Sequence, residues 1–304
     1  MSRRWQAVLA PMKPTNYGGQ AVIEGVMIRG RRTIGLACRR PDGTIYRYRE
    51  PLHSLLLSNG LARLPFIRGL VVLWESLSYG TRMLMRSAEV QAPEQDATGR
   101  GTTIAMGLAL VFALLVFVGI PYVATQLLRS AIPNALALNV GEGALRMALF
   151  LGYLGAISQL RDIKRVFAYH GAEHMTIHAF EHDDPLTPER VAPYPTAHPR
   201  CGTAFLLFVV VVSIVLFAFV PRINLIVDLI ARLLLVIPVA SVSYEILKLG
   251  AAYEHVPAMK WLIAPGLLLQ RITTRQPDRG MIEIAVASLE EAIAGDAEPV
   301  AVRA

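Results

Sequence analysis

Charge is scarce in this chain: charged residues make up 17% of it, where an ordinary soluble domain has about 25%. Hydrophobic residues reach 54% and the mean hydropathy is +0.44. That balance excludes an ordinary soluble globular protein and implies a membrane protein with soluble parts. Cysteine is scarcer still. Cys38 and Cys201 are too few for a disulfide framework, and nothing calls for an oxidising compartment. The opening stretch MSRRWQAVLAPMKP has no apolar run of signal length, so no cleaved signal peptide is expected. Aromatics are sparse in the basic clusters. Residues 1–103 hold 15 Lys+Arg against 7 Asp+Glu, and this excess reads as cytosolic charge beside a bilayer, with no nucleic acid as partner. Arg29, Arg31, Arg32, Arg39 and Arg40 are expected to face anionic headgroups.

What the chain has in quantity is long apolar sequence. Four segments (residues 103–124, 144–158, 203–220 and 225–247) approach the roughly 20 residues that cross a ~30 Å hydrocarbon core. The second is short unless it begins near Val140 or runs on to Leu160. The fourth carries Asp228 and Arg232, four apart and able to pair along one helix face. Four crossings leave both termini on one side. The opposite loops, 125–143 and 221–224, contain only Arg129 and Arg222 as cations, so the shared side is cytoplasmic by the positive-inside rule. The fold expected is an α-helical polytopic membrane protein of about four transmembrane helices with a small cytosolic α+β portion, in the plasma membrane.

Its organisation follows from composition. Residues 1–54 form a cytosolic β-rich segment, with strands at 21–28, 33–38 and 44–48 divided by Gly30 and the Pro41, Asp42, Gly43 turn. Glu24, in an otherwise apolar strand, faces outward or is aimed into a site. Residues 55–102 give an amphipathic interfacial helix and linker, because Arg63, Pro65 and Arg68 interrupt the apolar run 61–74. Residues 103–160 hold the first two spans, 161–202 a cytosolic histidine-rich loop and 203–247 the last two spans. Residues 248–304 form a cytosolic tail with a strand at 281–286, a helix at 287–293 and a disordered end. That strand is expected to join the N-terminal sheet, since neither segment has enough strands alone.

Chemistry concentrates between the second and third spans. Five of the seven histidines fall at positions 170, 174, 178, 182 and 198, together with Cys201. His170, Glu173 and His174 spell H-x-x-E-H. On a helix, residues four apart share a face, so the two imidazoles can grip one ion while the glutamate holds a water. His178, Glu181 and His182 repeat the pattern. A helix expected from Val166 to about Glu181 is ended by Asp183, Asp184 and Pro185, which leaves His182 at a fraying end. Phe180 crowds the second pair, whereas Gly171 and Ala172 leave room beside the first. His170 and His182 would stand ~18 Å apart and cannot share an ion, so one copy is expected to be chemical, and it is the first. Beyond it, His198 and Cys201 lie three apart in a turn set by Pro199 and Gly202, a common way to present two zinc donors. The plainer alternative makes His198 a helix cap and Cys201 a small buried residue. Zn2+ or another divalent metal is thus expected on a subset of His170, His174, His198 and Cys201. Tyr244, Glu245, Glu254 and His255 are late candidates just past the fourth span.

GGQAVIEGVMIRG, YHGAEH, HPRCGT and the tail TTRQPD followed by MIEIA, in that order, resemble the YqhQ-like family of bacterial membrane proteins. Its function is not established, and its members are predicted metal-dependent enzymes. The resemblance runs from about Tyr17 to Ile293. It implies a bacterial inner membrane and a site on His170, Glu173, His174, His198 and Cys201, with Glu24 and Glu181 in shared motifs. Met175 stands where the family motif usually carries lysine, so no cation beside the site is implied.

Two functions fit these residues. In one, a membrane-embedded zinc-dependent hydrolase, His170 and His174 bind the metal, a third ligand comes from His198, Cys201 or Glu245, and Glu173 is the base. In the other, a non-enzymatic membrane factor, zinc staples the histidine loop to the HPRCGT turn and the basic sheet binds a protein partner. Catalysis needs an open coordination position, whereas four protein ligands close a structural site. With one ion on the first copy, His174→Ala is expected to remove bound zinc and His182→Ala to leave it nearly stoichiometric, as read by metal analysis of the purified variants. The reverse result transfers the role of Glu173 to Glu181.

Overall fold

The computed structural model describes residues 17–92, 100–253 and 256–298. Glu254 and His255, named above as late ligands, lie outside the described residues, as do most of the linker and the end of the tail. Four strands, β1 (Gly18–Val22), β2 (Gly25–Arg29), β3 (Thr33–Arg39) and β4 (Ile45–Pro51), form an antiparallel meander in the order β1-β2-β3-β4. α1 (Leu55–Ser58) leads to α2 (Ile67–Gln91). α3 (Arg100–Leu114), a π-helical turn (Leu115–Gly119) and α4 (Ile120–Leu127) follow without a break. Then come α5 (Ala135–Ile157), α6 (Arg161–Glu181), α7 (Pro188–Val191), α8 (Gly202–Ala218), α9 (Leu225–Ala252), α10 (Pro257–Thr273) and α11 (Arg279–Ala297).

Among the described residues, three helices are long and apolar enough to cross a membrane. They are Ile104–Leu127, Ala135–Ile157 and Leu225–Ala252, of 24, 23 and 28 residues with mean hydropathies of 2.6, 1.3 and 2.4. α5 gains its length from an early start, where the Asn134 side chain caps it by accepting from Ala137 N at 3.1 Å. The segment expected as a third span is α8, 17 residues long. At 1.5 Å per residue it reaches about 26 Å, short of a ~30 Å core.

The sheet is covered on both sides. Val26, Ile28 and Ala37 pack on α6 and α11, while Val22, Met27, Ile34 and Leu36 pack on Tyr79 and Met83 of α2. Double coverage is why β2 and β3 read as unbroken apolar runs. The run 21–28, expected as one strand, is broken by a two-residue turn at Ile23 and Glu24, so Glu24 lies between β1 and β2, in the left-handed region at φ 49°.

The tail departs from expectation: residues 281–286 form no strand. They open α11, which lies across the sheet. Asp278 caps this helix by accepting from Met281 N at 2.8 Å. The alternation in MIEI is local, whereas Glu283 and Glu290 stand seven apart, two helical turns, and pair with Arg39 and Arg47 of the strands. Gly35 permits the approach, since a Cβ there would lie 2.3 Å from the Ser288 carbonyl oxygen. These contacts also engage the basic sheet. Arg29 pairs with Glu75 at 2.5 Å, Arg32 donates to the Asp296 backbone and Arg39 meets Glu283. Of the five arginines expected at headgroups, Arg31, Arg32 and Arg40 stay exposed.

Among the apolar helices, Asp228 and Arg232 do not form the side-chain pair expected within one helix. Asp228 accepts from Tyr122 Oη at 2.6 Å and Ile223 N at 2.9 Å. Arg232 reaches across to Glu142 of α5 at 2.8 Å and returns only to the Asp228 backbone oxygen, 3.1 Å. The buried Glu142 also receives Arg146 at 2.7 Å and Arg222 at 2.8 Å. Arg146 Nε donates to Phe117 O at 2.7 Å. In a regular helix that carbonyl would accept from residue 121, but Pro121 has no N–H to give, and the π-helical turn falls at the same place. Glu142→Gln leaves three buried guanidinium groups without their carboxylate and is expected to cost about 3–5 kcal/mol, whereas Arg279→Ala, at an exposed pair with Glu189, costs under about 1 kcal/mol. Thermal unfolding in detergent measures both.

Candidate metal centre

α6 begins at Arg161, five residues before the expected start, and ends at Glu181, with His182 as its C-cap and Asp183 in the left-handed region at φ 55°. It presents a histidine on each of three successive turns. His170 Nδ1 lies 2.8 Å from Thr273 O, His174 Nδ1 2.7 Å from Thr196 O and His178 Nε2 2.9 Å from Ala197 O. A carbonyl oxygen only accepts, so each of these nitrogens carries the proton and the other nitrogen of each ring carries the lone pair. Backbone carbonyls orient metal-binding imidazoles in this way.

Three segments converge on α6 to make these contacts. Gly171 lets the chain after α10 lie against it, because a Cβ there would be 2.1 Å from Arg275 O. Gln270, fully buried near the end of α10, clamps the HPRCGT turn: it accepts from His198 N at 2.8 Å and donates to His198 O at 3.0 Å. β1 closes the third side, with Gly19 N donating to Glu173 Oε1 at 2.8 Å. A Cβ on Gly19 would sit 2.2 Å from Met27 O. The GGQ of the hairpin motif is thereby tied to the glutamate of the helix motif.

The convergence sorts the candidate ligands into two groups. In the first, His170, His174 and Cys201 bring donor atoms within 4.8 Å of one another, with His170 Nε2 3.2 Å from Cys201 Sγ. In the second, His178, Glu181 and His198 do the same. His198, expected beside Cys201 on one ion, has Nε2 3.2 Å from Glu181 Oε2, and its ring centre is 4.5 Å from that of His178 and 5.7 Å from that of His174. Glu24 and Glu245 lie with arginines: Glu24 with Arg165 at 2.6 Å, Glu245 with Arg68. Met175 is fully buried in the core, and the cation beside the site is Arg200, paired with Glu181.

In the first group electrostatics favour a Cys201 thiolate beside a protonated His170, so an ion bound there displaces the His170 Nε2 proton. Burial alone would raise the Cys201 thiol, but His174 and His170 beside it draw its pKa well below the usual range. Cys201 also sits at the N-cap of α8, where the helix dipole favours a thiolate. Burial opposes the charge on His170, yet the neighbouring Cys201 outweighs it and lifts the pKa to about 9. Burial, then His174, pushes His198 down to about 3, so that it is neutral. Burial raises Glu173 above the ordinary carboxylate value. Among the described residues, no hydrogen-bond partner meets the buried Glu173 Oε2. It borders a cavity of about 600 Å³ lined also by His170, His174, His198 and Cys201, with Val72 and Tyr79 of α2 opposite. Sequence reasoning passed over His178 as a donor and Gln270. The continuing four-residue spacing of histidines marked the first, and a lone amide in the apolar LLLQ run marked the second.

Residues 64–295 match the family described as "Protein of unknown function (DUF1385)". The chain is similar to the "Uncharacterized protein YqhQ" of Bacillus subtilis (strain 168), 34% identical over 293 residues that span 91% of this chain and 92% of that protein. No solved structure matches it. With three quarters of its length inside the family match and a relative aligned almost end to end, the chain belongs to the YqhQ-like family of proteins of unknown function, DUF1385.

Proposed function

We propose that this protein is a membrane-bound, metal-dependent hydrolase whose ion is held by His170, His174 and Cys201 and whose base is Glu173. One observation carries the reading: three donors, rather than four, converge beside a cavity that also holds an uncommitted oxygen of Glu173. Two imidazoles and a thiolate suit zinc, and three protein ligands are the number found in catalytic zinc sites. An ion held there supplies a Lewis acid and lowers the pKa of bound water.

The chain's own groups do the rest. Thr273 O and Thr196 O fix the tautomers and ring planes of His170 and His174. The Gly19 N–H holds Glu173 Oε1, which leaves Oε2 to take a proton from a water or substrate in the cavity and return it to the leaving group. Burial brings Glu173 toward the pKa at which a carboxylate can do both. The cavity wall is apolar at Met27, Ile34, Val72 and Tyr79 and cationic at Arg29 and Arg200, a lining suited to a substrate with an apolar part and an anionic or polarised carbonyl part.

Glu173→Gln is expected to keep the metal and lose activity by on the order of 10²–10⁴-fold against ester, peptide and phosphoester reporters. Metal lost together with activity would make Glu173 a ligand, and unchanged activity would remove it from the mechanism.

The same reading sets the cavity at the cytosolic membrane face and takes α8, short as it is at 17 residues, as a fourth crossing beside the three longer helices, which leaves both termini inside. Cysteines introduced at Ser2 and Asn134, in a chain lacking Cys38 and Cys201, report on this through a membrane-impermeant maleimide added to intact cells. Labelling is expected at 134 and absent at 2; equal accessibility from one side overturns the topology.

A further inference from the structure

The second group of donors is not a weaker copy of the first. It draws on α6 one turn further along, at His178 and Glu181, and on the HPRCGT turn at His198. All three are buried, with His178 at 0%, Glu181 at 2% and His198 at 4% exposure. His178 gives its Nε2 proton to Ala197 O, which leaves a lone pair on Nδ1. Among the described residues, no protein group meets that nitrogen. A buried imidazole with a lone pair on its free nitrogen, oriented by a carbonyl and grouped with a carboxylate and a second imidazole, is an arrangement that a metal ion completes.

We propose that His178, Glu181 and His198 form a second divalent-metal site of the zinc type, one helical turn from the first, whose ion pins the turn that carries Cys201. The donor set is two nitrogens and one oxygen, a combination that zinc accepts. Arg200 pairs with one oxygen of Glu181, while Oε2 lies 3.2 Å from His198 Nε2. An ion on His198 Nε2 requires the single proton of the neutral ring to move through solvent to Nδ1, where the Arg200 N–H, 3.3 Å away, gives up its acceptor. Of the three donors, only His198 borders the cavity. The second ion therefore holds His198, and through the three-residue step from 198 to 201 fixes where Cys201 meets the first site. Successive turns of α6 are ~6 Å apart, beyond the roughly 3.5–4 Å at which two ions share a bridging oxygen. The inference rests on the donors of the second site alone and stands whether or not the first site is catalytic.

The test is zinc content of the full-length protein in detergent after equilibration with zinc alone, alongside X-ray absorption at the zinc edge. Wild type is expected to hold about two equivalents, and Glu181→Gln and His178→Gln about one each, with sulfur still among the ligands of the retained ion. Cys201→Ser is expected to retain an ion with nitrogen and oxygen ligands only. His174→Ala then removes one ion of two rather than all zinc. Glu181→Gln conserves shape, so it serves if His178→Gln does not fold, and the wild-type spectrum needs no variant. One equivalent in wild type, lost in Cys201→Ser and kept in Glu181→Gln, overturns the second site and leaves the proposed hydrolase intact. One equivalent lost in Glu181→Gln and kept in Cys201→Ser supports the second site and removes the first.

Discussion

The donor geometry of the centre depends on one kind of bond, an imidazole N–H given to a backbone carbonyl. His170, His174 and His178 make it on three successive turns of a single helix, to carbonyls in two other parts of the chain. Each bond does two things. It ties another part of the chain, the end of α10 or the irregular loop before α8, to α6, and it fixes which nitrogen of the neutral ring keeps a lone pair. Without them the imidazoles could take either tautomer, and Arg275 N on Phe167 O and the Gln270 clamp would be left to hold those segments in place. A polar stripe can survive inside a helix this buried because its donors are satisfied by backbone that would otherwise need partners of its own.

The sheet serves this helix as well as covering it. β1 delivers Gly19 to Glu173, and the turn that follows delivers Glu24 to Arg165 and Tyr169. The N-terminal hairpin is therefore registered against α6 at both of its ends. α11 braces the sheet from below through ion pairs with β3 and β4, and Arg68 of α2, bonded to Glu245 of α9, joins the layered part to the apolar helices.

Much of this was legible in the amino-acid order where local chemistry decides. The turns after β2 and β3, the end of α6 before Asp183 and the apolar segments follow from turn residues, proline and hydropathy, whereas the turn between β1 and β2 falls inside the run 21–28 expected as one strand. The error at residues 281–286 arose because MIEIA alternates over five residues, too short a window to expose the two-turn spacing of Glu283 and Glu290. The intrahelical pairing expected for Asp228 and Arg232 failed because a carboxylate on another helix, Glu142, offered a better partner, and nothing in a single sequence announces it. The division of the histidines into two groups was hidden for the same reason. Spacing along a helix says which imidazoles share a face, but only the approach of the loop decides that His198 lies beside Glu181 and Cys201 beside His170. The hidden partners are all long-range, and Gly19 and Gly171 mark where the backbone must come close to admit them.

The cluster around Glu142 bears on how the protein is made. Arg146 and Glu142 sit on α5, Arg232 on α9 and Arg222 just before it. An arginine alone near the middle of a bilayer costs about 2.5–3.5 kcal/mol on the scale that describes insertion by the cell's own machinery. α9 is one of three described helices long and apolar enough to cross a membrane, and the carboxylate that neutralises its arginine is on a helix some 90 residues earlier in the chain. Glu142 and Arg146 of α5 already pair with each other, so Arg222 and Arg232 are the cations that depend on an earlier helix. The cluster is complete only when helices far apart in the chain pack together, so a fault in one of its groups is felt at that step.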